Sequence, residues 1–285
     1  MALVAQAPIV VGVDGSDCSQ LAVDWAVDAA ARHGRVLRLV YATQAERYER
    51  GASPSGEDRG DDAETGRELL VAARERAGVR RPGVPISAEV RDLTPVNALV
   101  REGREGTVLV VGSRGRGPLT TMFLGSVGLG VAARASCPVV VVRGERPALE
   151  GQFGRVVVGV SGARGEGAAI DFAFREADAW NVELRAVHAW PGVATEDAGQ
   201  AEEAEARAVL ARAVADASGR HPEVRTDLET VAGAPRSTLL WKAGSADLLV
   251  VGVRDRHGED GLRLGLISHA LVHTAPCPVA VVPRR

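Results

Sequence analysis

One glycine-rich run carries the clearest chemistry in this chain. Gly112-Ser113-Arg114-Gly115-Arg116-Gly117 is followed by Pro118–Leu124 and then by Gly125-Ser126. The run leaves a hydrophobic stretch, Thr107–Val111, and ends where a helix is expected to start. Backbone N–H groups at a helix start have no intrahelical partner, and the helix dipole favours an anion there. Glycines let the backbone come close to a ligand and take positive φ. Ser126 can donate its hydroxyl to a phosphate oxygen, and Arg114 and Arg116 add bidentate cationic donors. This is the chemistry of a phosphate cradle.

Other reactive residue types are sparse. Among 34 basic residues the one lysine is Lys242, and its surroundings fit neither a P-loop nor a Schiff base. Cys18, Cys137 and Cys277 are too few and too far apart for a disulfide framework or a cysteine-rich metal site, and are expected to be structural. His269 and His273 have zinc-compatible spacing on a predicted helix but no matching third ligand, so they read as ordinary helix residues. Trp25, Trp180, Trp190 and Trp241 are expected to pack or form interfaces rather than stack on bases. The acidic runs at 57–64 and 196–205 read as solvated faces. No Ser–His–Asp set or paired catalytic carboxylates can be assigned.

The glycine run must be held by an ordered scaffold, and the chain builds that scaffold twice. Ile9–Asp14 reads IVVGVD and Val156–Ser161 reads VVVGVS; Val108–Gly112 reads VLVVG and Leu248–Gly252 reads LLVVG. Cys137-Pro138-Val139 returns as Cys277-Pro278-Val279. The repeat predicts two domains, 1–146 and 154–285, joined near Gly144–Gly154. In the first, strands are expected at Ile9–Val13, Val36–Ala42, Ile86–Val90, Thr107–Val111 and Val139–Arg143. Helices are expected over Cys18–His33, Glu64–Ala77, Pro95–Gly103 and Ser126–Ala135. Ser16 or Asp17 caps the first, Gly34 closes it, and Leu21, Trp25 and Ala29 lie on its apolar stripe. Thr43–Asp62, and the shorter Gly192–Gln200 in the second domain, read as loops. Short strands alternating with helices predict two tandem, doubly wound, five-stranded parallel sheets. Such sheets bind ligands beyond the carboxyl ends of their strands, which is where Gly12–Ser16 and Gly112–Ser126 fall.

Composition narrows the function. The 285 residues are 46% hydrophobic and 25% charged, enough to bury proper cores. A net charge of -3 argues against a general nucleic-acid binder. No run approaches the length of a membrane span, the start of the chain lacks the marks of a signal peptide, and the cysteine usage fits a reducing cytoplasm.

The spacing G-x-x-G-x9-G-S after a fourth strand, with Val11-Gly12-Val13-Asp14-Gly15-Ser16 after the first, resembles the universal stress protein A family. Cys137–Val141 and Val187-His188-Ala189-Trp190 share the resemblance, which spans nearly the whole chain. It implies Rossmann-like domains of the adenine nucleotide alpha hydrolase-like kind, and ATP, with Mg2+, as ligand. By matched position, Asp14 and Ala42 would lie near the adenosine and Gly12 would allow close approach beneath it. Gly112, Ser113, Arg114, Gly115, Arg116, Gly117, Gly125 and Ser126 would surround the phosphates. Family members pair through the last strand, which implies pairing of the domains or of two copies, alongside an unidentified protein partner.

The second domain departs from this pattern. Ser161 replaces the aspartate, Asp255 stands where Gly115 stands, and Leu266 replaces Ser126. Added negative charge and a lost hydroxyl predict weak nucleotide binding there. The leading expectation is thus a non-enzymatic, cytoplasmic, ATP-binding regulator of stress adaptation with one competent site. A nucleotide-free interaction scaffold and a slow ATPase are the alternatives. A dinucleotide oxidoreductase fits least, because the first strand is not followed by G-x-G-x-x-G.

Overall fold

The computed structural model describes residues 7–43, 58–115, 125–163, 165–192, 196–253 and 264–284. The chain divides into two compact units, Met1–Val142 and Arg143–Arg285.

In the first unit, β1 (Ile9–Gly12), β2 (Leu37–Ala42), β3 (Ile86–Arg91), β4 (Val108–Gly112) and β5 (Val139–Val142) lie in the order β3-β2-β1-β4-β5. Every pairing is parallel: Ile9 faces Leu37 on one side and Val108 on the other, and Leu109 faces Val139. The unbroken Val/Ile/Leu runs are what a strand covered on both faces requires, and Val10, Leu109 and Val140 are fully buried. Helices α1 (Asp17–His33) and α2 (Asp58–Arg80) pack together, as do α3 (Pro95–Glu102) and α4 (Ser126–Arg134). The order of the strands reverses at β1 and β4, so with right-handed crossovers the two helix pairs cover opposite faces.

Local signals set the element ends. The Ser16 hydroxyl accepts the Ser19 N–H at the start of α1, and Gly34 closes that helix at φ 60°. Ion pairs tie α1 to the C-terminal end of α2 and the residue after it: Arg76 to Asp24, and Arg80 and Arg81 to Asp28. Two expectations need correction. Leu21 stays exposed, at the margin of the stripe whose centre holds Ala22, Trp25, Ala26 and Ala29. Residues 58–62 and 196–200 are helical rather than loop, because α2 and its counterpart begin well before their apolar positions do. Acidic residues suit a first helical turn, so polarity there is no bar to helix. The remainder of the expected first loop, 44–57, lies outside the described residues.

The second unit opens with a single turn, α5 (Arg146–Leu149), and then repeats the plan. Its strands are β6 (Arg155–Val160), β7 (Glu183–Trp190), β8 (Thr226–Ala232), β9 (Leu248–Gly252) and β10 (Val279–Val282), ordered β10-β9-β6-β7-β8 and all parallel. Its helices are α6 (Gly167–Trp180), α7 (Glu196–Arg220), α8 (Pro235–Ala243) and α9 (Leu266–Thr274).

The repeats share a frame but have exchanged charge inside it. In the first, buried Glu102 of α3 binds Arg38 of β2 at 2.9 Å and Arg91 of β3 at 2.7 Å. The matched place on α8 carries Lys242, equally buried and bonded to Glu229 of β8. A buried charge needs a partner, not a particular sign, and the lysine uses Glu229, an acid at the strand position where the first repeat has Glu89.

Candidate functional site

The candidate site lies beyond the carboxyl ends of β1 and β4, where the strand order reverses. Asp14 follows β1 and is half-buried. Its backbone N–H donates to the Ser19 hydroxyl at 3.1 Å. Ser16 donates to Asp14 Oδ1 twice, from its backbone N–H at 2.9 Å and from its hydroxyl at 2.6 Å. The same hydroxyl lies 3.4 Å from the Arg114 carbonyl oxygen, which joins the β1 loop to the glycine loop.

The glycine loop is closed on itself. Gly125 N–H donates to the Ser113 carbonyl at 2.9 Å, bringing the start of α4 back to the end of β4. Gly125 is the N-cap of α4, and Ser126, its first residue, is exposed. The first-turn N–H groups of α4 and the positive end of its dipole are thus directed to the loop. Arg114 is exposed beside them. Arg116 and Gly117, also expected here, lie outside the described residues. Ala42 is the last residue of β2, half-buried and paired with Arg91.

The glycines serve different ends. A Cβ on Gly12 would meet Leu99 of α3 at 3.0 Å, and Gly159 meets Leu239 the same way in the second unit. Packing of a helix on the sheet therefore accounts for that glycine in both repeats. A Cβ on Gly112 would lie 2.6 Å from the Cys18 carbonyl oxygen, so this glycine lets the first turn of α1 come up against β4. A Cβ on Gly115 would lie 2.7 Å from Asp14 Oδ2. At Gly125 the nearest atom would be 3.7 Å away, and its extended backbone suits any residue. Among the described residues nothing demands a glycine at that position, and Gly265, its match in the second unit, is equally open.

The other singled-out residues stand apart. Burial pushes the Cys137 thiol up to about 11 and the Cys277 thiol up to about 12, so both stay protonated at neutral pH. Cys18 is half-buried and accepts a hydrogen bond from the Ser113 hydroxyl at 3.7 Å. The His269 and His273 rings lie 4.5 Å apart, and burial, with help from His269 and Arg143, lowers the His273 pKa. Among the described residues no group of three or more His, Cys, Asp or Glu could hold a metal ion. No described helix is long and apolar enough to cross a membrane. Trp25 is buried, whereas Trp241 is exposed with the Lys242 ammonium 4.1 Å from its ring centre.

The corresponding region of the second unit is arranged around an acid. Both Glu166 carboxylate oxygens are engaged: Ser161 N–H and hydroxyl donate to Oε2 at 2.8 and 2.9 Å, and Gly162 N–H donates to Oε1 at 2.8 Å. Glu166 matches Ser19, so a carboxylate replaces a neutral hydroxyl. Leu266, matching Ser126, is 83% exposed at the start of α9. Residues 254–263, with Asp255, lie outside the described residues.

The sequence profile of the Universal stress protein family matches residues 7–143 and 152–283, once in each repeat. The chain belongs to the universal stress protein family. A universal stress protein of Mycobacterium tuberculosis is 34% identical over 283 residues, covering 96% of each chain. Another from that organism is 33% identical over 283 residues, covering 96% of this chain and 95% of its own. Among solved structures, a universal stress protein from Archaeoglobus fulgidus matches with a TM-score of 0.73 at 18% identity, covering 98% of this chain and 99% of that one. That likeness bears on the fold, a Rossmann-like α/β architecture.

Two contacts of the candidate regions go beyond the sequence reading of this universal stress protein. Ser16 reads as a helix cap at the binding edge but not as a partner of Asp14, and Glu166 is not singled out at all. The D-x-S spacing of Asp14 and Ser16 was a usable signal, since a hydroxyl two residues after an aspartate can bond back to it.

Proposed function

We propose that this universal stress protein is a cytoplasmic regulator that binds one adenine nucleotide, ATP with Mg2+, in its N-terminal unit. The carrying observation is the convergence of Asp14 with the glycine loop. A Cβ at 115 would crowd the Asp14 carboxylate where it now lies, and the start of α4 opens beside it. A carboxylate accepts from ribose hydroxyls or an adenine amino group, while free N–H groups, Ser126 and Arg114 suit phosphates. Ala42 and Gly12 stand at the neighbouring strand ends, on the adenosine side of this reading. By their place in the sequence, Arg116 and Gly117 are counted with the phosphate side. Mg2+ would be held mainly by phosphate oxygens. Binding and release, rather than turnover, is the regulatory event, linked to stress adaptation through a protein partner. Assembly through the last strands, between units or between copies, belongs to the same reading.

The C-terminal unit is read as the non-binding one. Glu166 adds a negative charge and takes up the donors of the β6 loop, and Leu266 offers an apolar side chain where a phosphate needs a donor. The test is to purify the protein natively, denature it and quantify released nucleotide by mass spectrometry. About one ATP per chain is expected. Two per chain would restore the second site. None, together with no binding in an Mg-ATP titration, would leave a nucleotide-free scaffold.

A further inference from the structure

We propose that Ser16 is a positioning residue of the nucleotide site: its hydroxyl holds the Asp14 carboxylate in its binding orientation. The inference rests on the nucleotide reading above and adds a residue to it.

The geometry assigns the hydroxyl two roles. As an acceptor it receives the Ser19 N–H at 3.2 Å, which caps α1. As a donor it has one hydrogen and two candidate acceptors. Asp14 Oδ1 at 2.6 Å is closer and charged; the Arg114 carbonyl at 3.4 Å is longer and neutral. The hydrogen therefore goes to Asp14. With the Ser16 N–H added at 2.9 Å, Oδ1 receives two donors. These two bonds restrain the carboxylate, and Oδ2 lies 2.7 Å from the place of a Cβ on Gly115. The Ser19 hydroxyl fixes the Asp14 backbone from behind at 3.1 Å. The carboxylate is thus oriented before any ligand arrives, which lowers the ordering cost of binding.

A cap role and a positioning role make different demands. Glycine is a tolerated N-cap but has no hydroxyl. Threonine keeps both. Mg-ATP is titrated calorimetrically into full-length wild type, Ser16→Gly, Ser16→Ala, Ser16→Thr, Asp14→Ala and the double variant Asp14→Ala/Ser16→Gly, with thermal unfolding followed on the same samples. The expected result is a loss of about tenfold in affinity for both Ser16→Gly and Ser16→Ala, with Ser16→Thr close to wild type. In the Asp14→Ala background, Ser16→Gly should change affinity by less than about twofold, because its effect runs through Asp14. Wild-type affinity in Ser16→Gly, or an equal loss with and without Asp14, overturns the positioning role and leaves a helix cap. A wild-type chain that binds no nucleotide overturns the underlying reading itself.

Discussion

The place of a Cβ on Gly115 lies 2.7 Å from the Asp14 carboxylate oxygen Oδ2. Two loops that are distant in sequence thus share one small space, and only one can fill it with a side chain. Gly115→Ala is expected to displace Asp14 and weaken Mg-ATP binding about tenfold or more. Gly115→Asp, which installs the residue of the second repeat, should abolish measurable binding by adding like charge. Because Gly115 sits in an exposed loop, both variants should keep the thermal unfolding midpoint of wild type to within about 2 °C. Calorimetric titration beside thermal unfolding separates the two effects.

Glu166 should matter for the stability of the C-terminal unit rather than for ligand. Glu166→Ala removes three hydrogen bonds at 2.8–2.9 Å from an exposed loop. A loss of about 1 kcal/mol is expected in denaturant unfolding. The amount of nucleotide released per chain should not change.

Acid should destabilise the N-terminal unit through Asp28 and Glu102. Burial raises both pKa values, but Arg80 and Arg81 at Asp28, and Arg38 and Arg91 at Glu102, outweigh it and leave both lowered. A folded pKa below the unfolded one adds stability above the ordinary carboxylate range, and that stability is lost as pH falls through the folded values. Unfolding midpoints measured from pH 7 to pH 3 should therefore fall. Glu102→Gln should cost about 1–2 kcal/mol at pH 7, since Arg38 and Arg91 lose their shared partner but keep Glu105 and Glu89, and should flatten the acid limb.

The three cysteines should be unequal toward alkylation. Cys137 and Cys277 are buried with thiols held at about 11 and about 12, while Cys18 is half-buried beside Ser113. Iodoacetamide at pH 8 should add one label per native chain, at Cys18, with Mg-ATP slowing it. Peptide mass mapping reads the site, and rapid labelling of Cys137 or Cys277 would contradict their burial.

Much of the fold was legible because its signals are local. Ser16 and Gly34 mark the ends of α1 by their own backbone chemistry, and the valine runs mark strands covered on both faces. The start of α2 was not legible. Its first turns are polar, so no apolar period announces them. The two glycine motifs of the N-terminal site were visible as spacing, but their separate reasons were not. Gly12 answers to Leu99 and Gly112 to the Cys18 carbonyl, contacts made across the sheet by residues far away in the chain.

The order of residues alone determined the duplication, the parallel α/β class, the family and the glycine loop, because each is written as period, spacing or composition. Only the tertiary structure decided which atoms meet: Ser16 with Asp14 and Arg114, Gly115 with Asp14, Glu166 with the β6 loop. It also showed how Lys242 can stand in the place of Glu102 once Glu229 is opposite. Hydrogen bonds and charge pairs act over a few ångströms in space, and the backbone path between partners carries no record of that distance.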